Sequence, residues 1–370
     1  MIGEIIAGIV LGPSLFNLIH RSEELKVISE LGIFLLVIIA GLEINIDNIL
    51  KSLKGKNIII SILAFLIPIF GGLAVGYLFG QGLMTTFFIG LCVAITALPV
   101  SIRILMDLDM INTEVGQKII TVAIFDDVFA LSILGVLLNI QDTDLSVAST
   151  IKAVLLSLLK LAIFISLLSL AYILIKRALR KGNYIQDSLN KIVSFLKGKE
   201  TLFALFFVFV LLFSTITENL GLHFIVGTFF ASMLISDKLI GRDNLKSIEK
   251  TTGNMAMGFL APIFFAGIGL EFDFSSIENL GLLVAVLFVS YASKILGGYL
   301  GGTLAGLNKR TSFTLGIGLN ARGIMELVIA NIAYKNGLLS TEIFSILVIM
   351  GVLTTLSTPV LLKQVYRPLP

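Results

Sequence analysis

The sequence predicts an all-α polytopic membrane protein, on three observations. Apolar residues fill 56% of its 370 positions and charged residues only 14%, against about 45–50% and about 25% in soluble globular domains. The apolar residues fall in runs that match the roughly 20 residues a helix needs to cross about 30 Å of hydrocarbon. Basic residues collect in alternate loops between those runs. In lipid, only helices or closed barrels satisfy every backbone polar group, and the alternating segments of about ten residues that barrel strands need are absent.

Twelve runs are read as spans. Span 1 covers residues 2–19 and span 2 covers 27–46, each with a Gly-containing apolar stretch. Span 3, 57–80, holds no charged residue; span 4, 84–105, contains Pro99; span 5, 116–139, carries Asp126 and Asp127 at mid-length. Span 6, 149–178, ends in a basic cluster, and spans 7, 8 and 9 (200–218, 221–238, 254–271) are rich in Phe. Span 10, 279–304, contains Lys294; span 11, 311–334, contains GIGLNARG; span 12, 341–364, ends near Lys363 and Arg367. With this count Lys51, Lys54, Lys56, Arg180, Lys181, Lys191, Lys197, Lys246 and Lys309 share one side, and only Arg21, Lys26, Lys152 and Lys335 lie on the other. Basic loops stay cytoplasmic, so both termini are expected inside a cell membrane. No cleavable signal peptide frames the first run.

One Cys and two His exclude a disulfide framework and leave little for zinc or haem, so no cofactor is expected. Nucleotide-binding loops and nucleophile–base constellations are also absent. An enzyme is the least favoured class, and nothing points to nucleic acid.

Span 2 ends IIAGLEINIDNI and span 9 ends FFAGIGLEFDFSSI; span 1 carries GEIIAGIVLG and span 8 LHFIVGTFFA. Spans 1–5 thus pair with spans 8–12. A shift of seven is odd, so the copies run oppositely through the membrane, the inverted-repeat plan of many secondary transporters. The expected organisation is a first repeat over 1–139, a linker helix and cytoplasmic loop over 140–199, and a second repeat over 200–370. Span 7 has no partner, which suggests that one further helix precedes residue 1.

ITALPVS (95–101) and GIGLNARG (316–323) interrupt spans 4 and 11, which correspond in the repeat. Alone, Pro99 is a packing kink; paired interruptions are the sequence pointer to a transporter site. Unwound peptide groups offer carbonyls to a cation, and opposed helix ends offer partial charges of both signs. A charge at mid-membrane costs about 2.5–3.5 kcal/mol even on the lenient insertion scale, so adjacent Asp126 and Asp127 suggest ion handling. Asp127 has Ala123 and Ala130 on its own face, leaving room for an ion. Lys294 is too deep to snorkel, and its natural partner is Asp126. That pair either locks the structure or takes part in proton carriage. Arg322 and Glu326, spaced i, i+4, read as a mutual ion pair, with Glu326 alternatively compensating a helix end or joining a proton path. Asn320 adds a polar group in the same interruption, and Thr96 is placed to lend a hydroxyl beside Asp127. Glu4, Glu43, Glu271, Lys160 and His223 carry less weight.

ITALPVS, VAIFDDVFALSIL and GIGLNARGIMELVIA together resemble the cation:proton antiporter superfamily, specifically its second family, and GEIIAGIVLGPS and FFAGIGLEFD resemble it too. The resemblance spans nearly the whole chain. It implies a core of spans 3–5 and 10–12 with two crossed broken helices, a scaffold of spans 1, 2 and 7–9, and a homodimer. It also implies that Asp127 is the ion carboxylate, with Asp126 as partner of Lys294. The expected activity is exchange of Na⁺ or Li⁺ for H⁺ by alternating access, electrogenic if Lys294 carries a proton. A K⁺/H⁺ exchanger is the first alternative; a solute symporter or an ion channel fits less well. No nucleotide-binding regulatory segment follows span 12 in this sequence.

Overall fold

The computed structural model describes residues 1–20, 22–44, 55–140, 147–180 and 199–366. Among them are sixteen α-helices and no strand. They are α1 (Ile2–Leu11), α2 (Glu23–Glu43), α3 (Asn57–Leu78), α4 (Leu83–Ala94), α5 (Leu98–Asp107), α6 (Glu114–Ile140), α7 (Val147–Arg180) and α8 (Lys199–Asn219). There follow α9 (Phe224–Leu234), α10 (Asp237–Ile240), α11 (Arg242–Met255), α12 (Ala261–Glu271), α13 (Leu280–Leu304), α14 (Lys309–Gly318), α15 (Ile324–Lys335) and α16 (Thr341–Val365). Arg21, Lys51, Lys54, Lys181, Lys191, Lys197, Arg367 and the 45–49 portion of the first repeat lie outside the described residues.

Nine segments among the described residues are long and apolar enough to cross a membrane, and the remaining three expected spans differ for local reasons. Span 1 is helical only to Leu11: Gly12 is extended, and Pro13 disfavours a helical conformation in the residue before it. Span 8 is the short helix Phe224–Leu234, opened by His223, whose Nδ1 accepts the Ile225 N–H at 3.4 Å. Span 11 is split into α14 and α15, of 10 and 12 residues, so neither half is long enough alone. Span 9 extends backwards instead. Polar α11 runs through a π-turn at Ala256–Leu260 into α12.

The chain forms two compact units. One comprises Met1–Ser29, Asp47–Ala130 and Pro262–Pro370; the other comprises Glu30–Ile46 and Leu131–Ala261. The first holds α3–α5, the beginning of α6, and α13–α16, together with α1 and most of α12. Its packing is set by the run Gly297-Gly298-Tyr299-Leu300-Gly301-Gly302 on α13. A Cβ on Gly297 would lie 2.8 Å from the Leu63 carbonyl oxygen, and one on Gly301 would lie 2.9 Å from Ile60 Cα, both on α3. A Cβ on Gly298 would lie 2.5 Å from Gly316 Cα, and one on Gly302 would lie 2.7 Å from Ser312 Oγ, both on α14. Two glycine pairs at i, i+4 thus bring α13 to backbone contact with two neighbours at once. In lipid, small residues and close packing associate helices where no hydrophobic drive exists. Lys294 lies one turn before Gly298 and is fixed by the same contacts.

The second unit has its own apolar centre, with Leu35, Ile38 and Leu42 of α2 packed with Leu202, Phe206 and Val210 of α8 and with Ala231. Its helices are also joined by polar contacts: Ser214 and Thr228 hydroxyls meet at 2.8 Å between α8 and α9.

Candidate functional site

The first interruption is three residues long. α4 ends at Ala94, Ile95 and Ala97 are extended, and α5 restarts at Leu98. Pro99 stands in the first turn of α5, where its missing N–H would have no intrahelical acceptor in any case. Pro99 therefore marks a restart rather than a kink within a continuous helix. The second interruption runs from Leu319 to Gly323 between α14 and α15.

The two unwound segments bond to each other. Ala97 N–H donates to the Ala321 carbonyl at 2.9 Å, and the Thr96 hydroxyl donates to the Leu319 carbonyl at 3.0 Å. Thr355 of α16 donates to the Arg322 carbonyl at 2.7 Å. Asn320 turns its amide N–H back to the Gly316 carbonyl at 3.0 Å, and its buried Oδ1 accepts no hydrogen bond.

Arg322 has no solvent exposure. Its Nη1 donates to the Cys92 carbonyl at 2.5 Å and its Nη2 to the Val93 carbonyl at 2.6 Å. These carbonyls belong to the last turn of α4, where intrahelical donors run out and the helix dipole is negative. The expected partner, Glu326, lies at 4.0 Å from Nη1, within ion-pair range but beyond a hydrogen bond. Arg322 lies in the unwound segment, ahead of α15, so regular i, i+4 helical geometry does not bring the two closer. Glu326 occupies the first turn of α15, the positive end of that helix. Each interrupted span thus receives a compensating charge at a broken end.

Asp126, Asp127 and Lys294 have no solvent exposure. Lys294 Nζ lies 2.7 Å from Asp126 Oδ2 and also donates to the Ala64 carbonyl at 3.2 Å. Asp127 follows on α6, about 100° around the helix. Ala123 and Ala130, on its face, are both buried. The Thr96 hydroxyl, bonded to the Leu319 carbonyl, also lies against Asp126, the neighbour of Asp127 on α6. Among the described residues no group of three or more His, Cys, Asp or Glu forms a metal cluster.

Five polar partners were not singled out from the sequence. The Cys92, Val93 and Ala64 carbonyls are backbone groups and carry no residue signature. Thr355 looks like an ordinary hydroxyl in an apolar helix. Asn331, 2% exposed, donates to Glu271 at 2.9 Å; a lone amide within IMELVIANIAY was its available signal.

A buried acid–base pair thus lies near two mutually bonded helix breaks, and comparison with known proteins shows the family in which this arrangement sits. The profile of the family described as sodium/hydrogen exchanger, transmembrane, matches residues 1–366. The chain belongs to that family. It is 30% identical to the Na⁺/H⁺ antiporter NhaS4 of Synechocystis over 390 aligned residues, covering 99% of this chain and 90% of that protein. It is 27% identical to the Na⁺/H⁺-K⁺ antiporter GerN of Bacillus cereus, covering 99% and 89%, and 26% identical to a Na⁺/H⁺ antiporter of Enterococcus hirae, covering 98% and 90%. Its fold matches the solved sodium proton antiporter MjNhaP1 of Methanocaldococcus jannaschii with a TM-score of 0.66 at 16% identity, over 97% of this chain and 88% of that one. This sodium/hydrogen exchanger family member is a multi-pass membrane protein and a secondary active cation/proton antiporter, not an enzyme.

Proposed function

We propose that the chain exchanges Na⁺ or Li⁺ for H⁺ across the cell membrane by alternating access, with Asp127 as the carboxylate for which cation and proton compete. The observation that carries this reading is the fully buried Asp127 beside the Asp126–Lys294 pair. An acid enclosed at that depth needs a counter-charge or a proton, so ionised Asp127 takes the cation and protonated Asp127 releases it. Asp126 keeps Lys294 compensated during the exchange. Asn320 Oδ1, which accepts no hydrogen bond, is a supporting oxygen; Arg322, Glu326 and Pro99 hold the interrupted helices, and Thr96 joins them. If Lys294 also gives up its proton, two protons move per cation and exchange is electrogenic. Electrogenic exchange unchanged in Lys294→Gln would remove the lysine from the proton path.

The same reading takes the chain as two inverted repeats, 1–139 and 200–370, joined by 140–199. Both termini are cytoplasmic, the protein works as a homodimer, and its task is pH homeostasis. K⁺/H⁺ exchange is the second reading, favoured by the similarity to the Na⁺/H⁺-K⁺ antiporter GerN. The test is proton flux in proteoliposomes holding a pH gradient, pulsed with Na⁺, Li⁺ or K⁺, with Asp127→Asn as control. Flux with Na⁺ or Li⁺ that vanishes in the variant supports the proposal. Flux with K⁺ alone transfers the mechanism to the second reading, and full flux in folded Asp127→Asn protein overturns the assignment.

A further inference from the structure

Within the first unit, three uncompensated basic side chains meet at the end of α13. Gly301 packs against Ile60, the fourth residue of α3, and Gly302 packs against Ser312, the fourth residue of α14. The first turns of α3 and α14 therefore flank the same turn of α13. Lys56 precedes the one, Lys309 and Arg310 open the other, and neither first turn holds an acid. Lys56 Nζ lies 3.2 Å from the place a Cβ on Gly306 would take, so it reaches over the end of α13, three residues before Lys309.

Lys56, Lys309 and Arg310 are exposed, and among the described residues none of them makes an ion pair. Lys118 differs. It is half-buried, bonded to Asn57 Oδ1 at 3.2 Å and paired with Glu114 at 3.7 Å, so its charge is already answered. Acids, not bases, are the stabilising residues in a first turn. Three unpaired cations there add to the local positive potential, and nothing described in the chain offsets them.

An apolar stripe runs into this cluster. Leu296, Leu300 and Leu304 are exposed on α13 at helical spacing, and the stripe ends just before Gly306, where Lys56 lies. On a helix that crosses the membrane, exposed leucines face acyl chains. A free phosphate would use the basic cluster and leave the stripe unexplained. A zwitterionic headgroup brings its own ammonium and gains less from three cations.

We propose that this surface binds one anionic phospholipid, its phosphodiester held by Lys56, Lys309 and Arg310 and an acyl chain lying along Leu304, Leu300 and Leu296. The Arg310 guanidinium offers two parallel donors to phosphate oxygens, and Lys56 supplies a point charge from the other helix. The headgroup thus bridges the first turns of α3 and α14. None of these residues takes part in the proposed exchange reaction, so the inference goes beyond that reading and does not depend on it.

The chain contains no Trp, so Leu304→Trp, at a position 65% exposed, supplies a single fluorophore where stripe and cluster meet. The full chain carrying it is reconstituted in phosphatidylcholine vesicles that contain brominated phosphatidylglycerol or brominated phosphatidylcholine at the same low fraction. Each basic side chain near an anionic headgroup contributes about fivefold to its local enrichment, so quenching should report a preference for phosphatidylglycerol of at least about tenfold. Arg310→Gln alone should reduce that preference about fivefold, and Lys56→Gln, Lys309→Gln and Arg310→Gln together should abolish it. The same charge removed from α11, with Arg242→Gln, Lys246→Gln and Lys250→Gln, should leave it unchanged. Equal quenching by the two lipids overturns the proposal, as does a preference that survives the first triple variant or is lost in the second. Loss of the preference on adding inorganic phosphate at constant ionic strength would assign the cluster to a free anion and overturn the lipid.

Discussion

The Asp126–Lys294 pair can be taken apart in a double-mutant cycle with Lys294→Met, Asp126→Asn and the two combined. Lys294→Met leaves the fully buried Asp126 carboxylate without its 2.7 Å partner; Asp126→Asn leaves a buried ammonium that keeps the Ala64 carbonyl at 3.2 Å but has lost the carboxylate bonded to it. Breaking a buried pair on one side costs about 3–5 kcal/mol, whereas replacing both charges is often near neutral. At about 2.1 cal/mol/K per residue, the 370 residues give an unfolding entropy of about 0.8 kcal/mol/K. Each single variant should therefore lose about 4–6 °C in Tm, and the double variant should recover most of that loss. Thermal unfolding of the purified protein in detergent, in low-salt buffer at constant pH, reads all four corners. Effects that simply add, with coupling below about 0.5 kcal/mol, would show that the two charges are not mutually dependent. In that case the compensation argument for Asp126 fails.

Arg322→Lys can replace only one of the two bonds to the α4 carbonyls at a time. With charged hydrogen bonds worth about 1.5–3 kcal/mol each, Tm should fall by about 2–4 °C, and further in Arg322→Met; an unchanged Tm in both would refute the helix-end role. Gly298→Ala puts a methyl 2.5 Å from Gly316 Cα. Overpacking of that kind costs about 1–3 kcal/mol, and because α13 also carries Lys294, proton flux should fall with stability. Pro99→Ala should change stability by less than about 1 kcal/mol, since Pro99 occupies the first turn of α5; a loss near 3 kcal/mol would mean that the ring itself maintains the break.

The sequence by itself determined the environment and made the charged residues of the candidate site legible. Apolar runs and segregated basic residues are properties of composition and order, so a multi-pass helical chain was readable without coordinates. Asp126, Asp127 and Lys294 were conspicuous because charge at that depth is costly wherever the helices happen to lie. The interruptions at 95–101 and 316–323 were legible through Pro99, Gly316, Gly318 and Gly323. Helix ends were less so: span 1 stops at Leu11 and span 11 is two short helices, because local Gly and Pro override the hydropathy of the run.

The Lys294–Asp126 pair was expected from the sequence and is present; the other partners were decided only by the tertiary structure. Arg322 looked like the i, i+4 mate of Glu326, yet its short bonds go to Cys92 and Val93, more than two hundred residues earlier. Thr96 turned to Leu319 for the same reason. Backbone carbonyls look identical in any sequence, and they become preferred partners only where a helix ends without donors. The glycines of α13 were visible as small residues, but which face meets α3 and which meets α14 depends on rotation about the helix axis. That rotation follows from packing, which fixes Lys294 against Asp126.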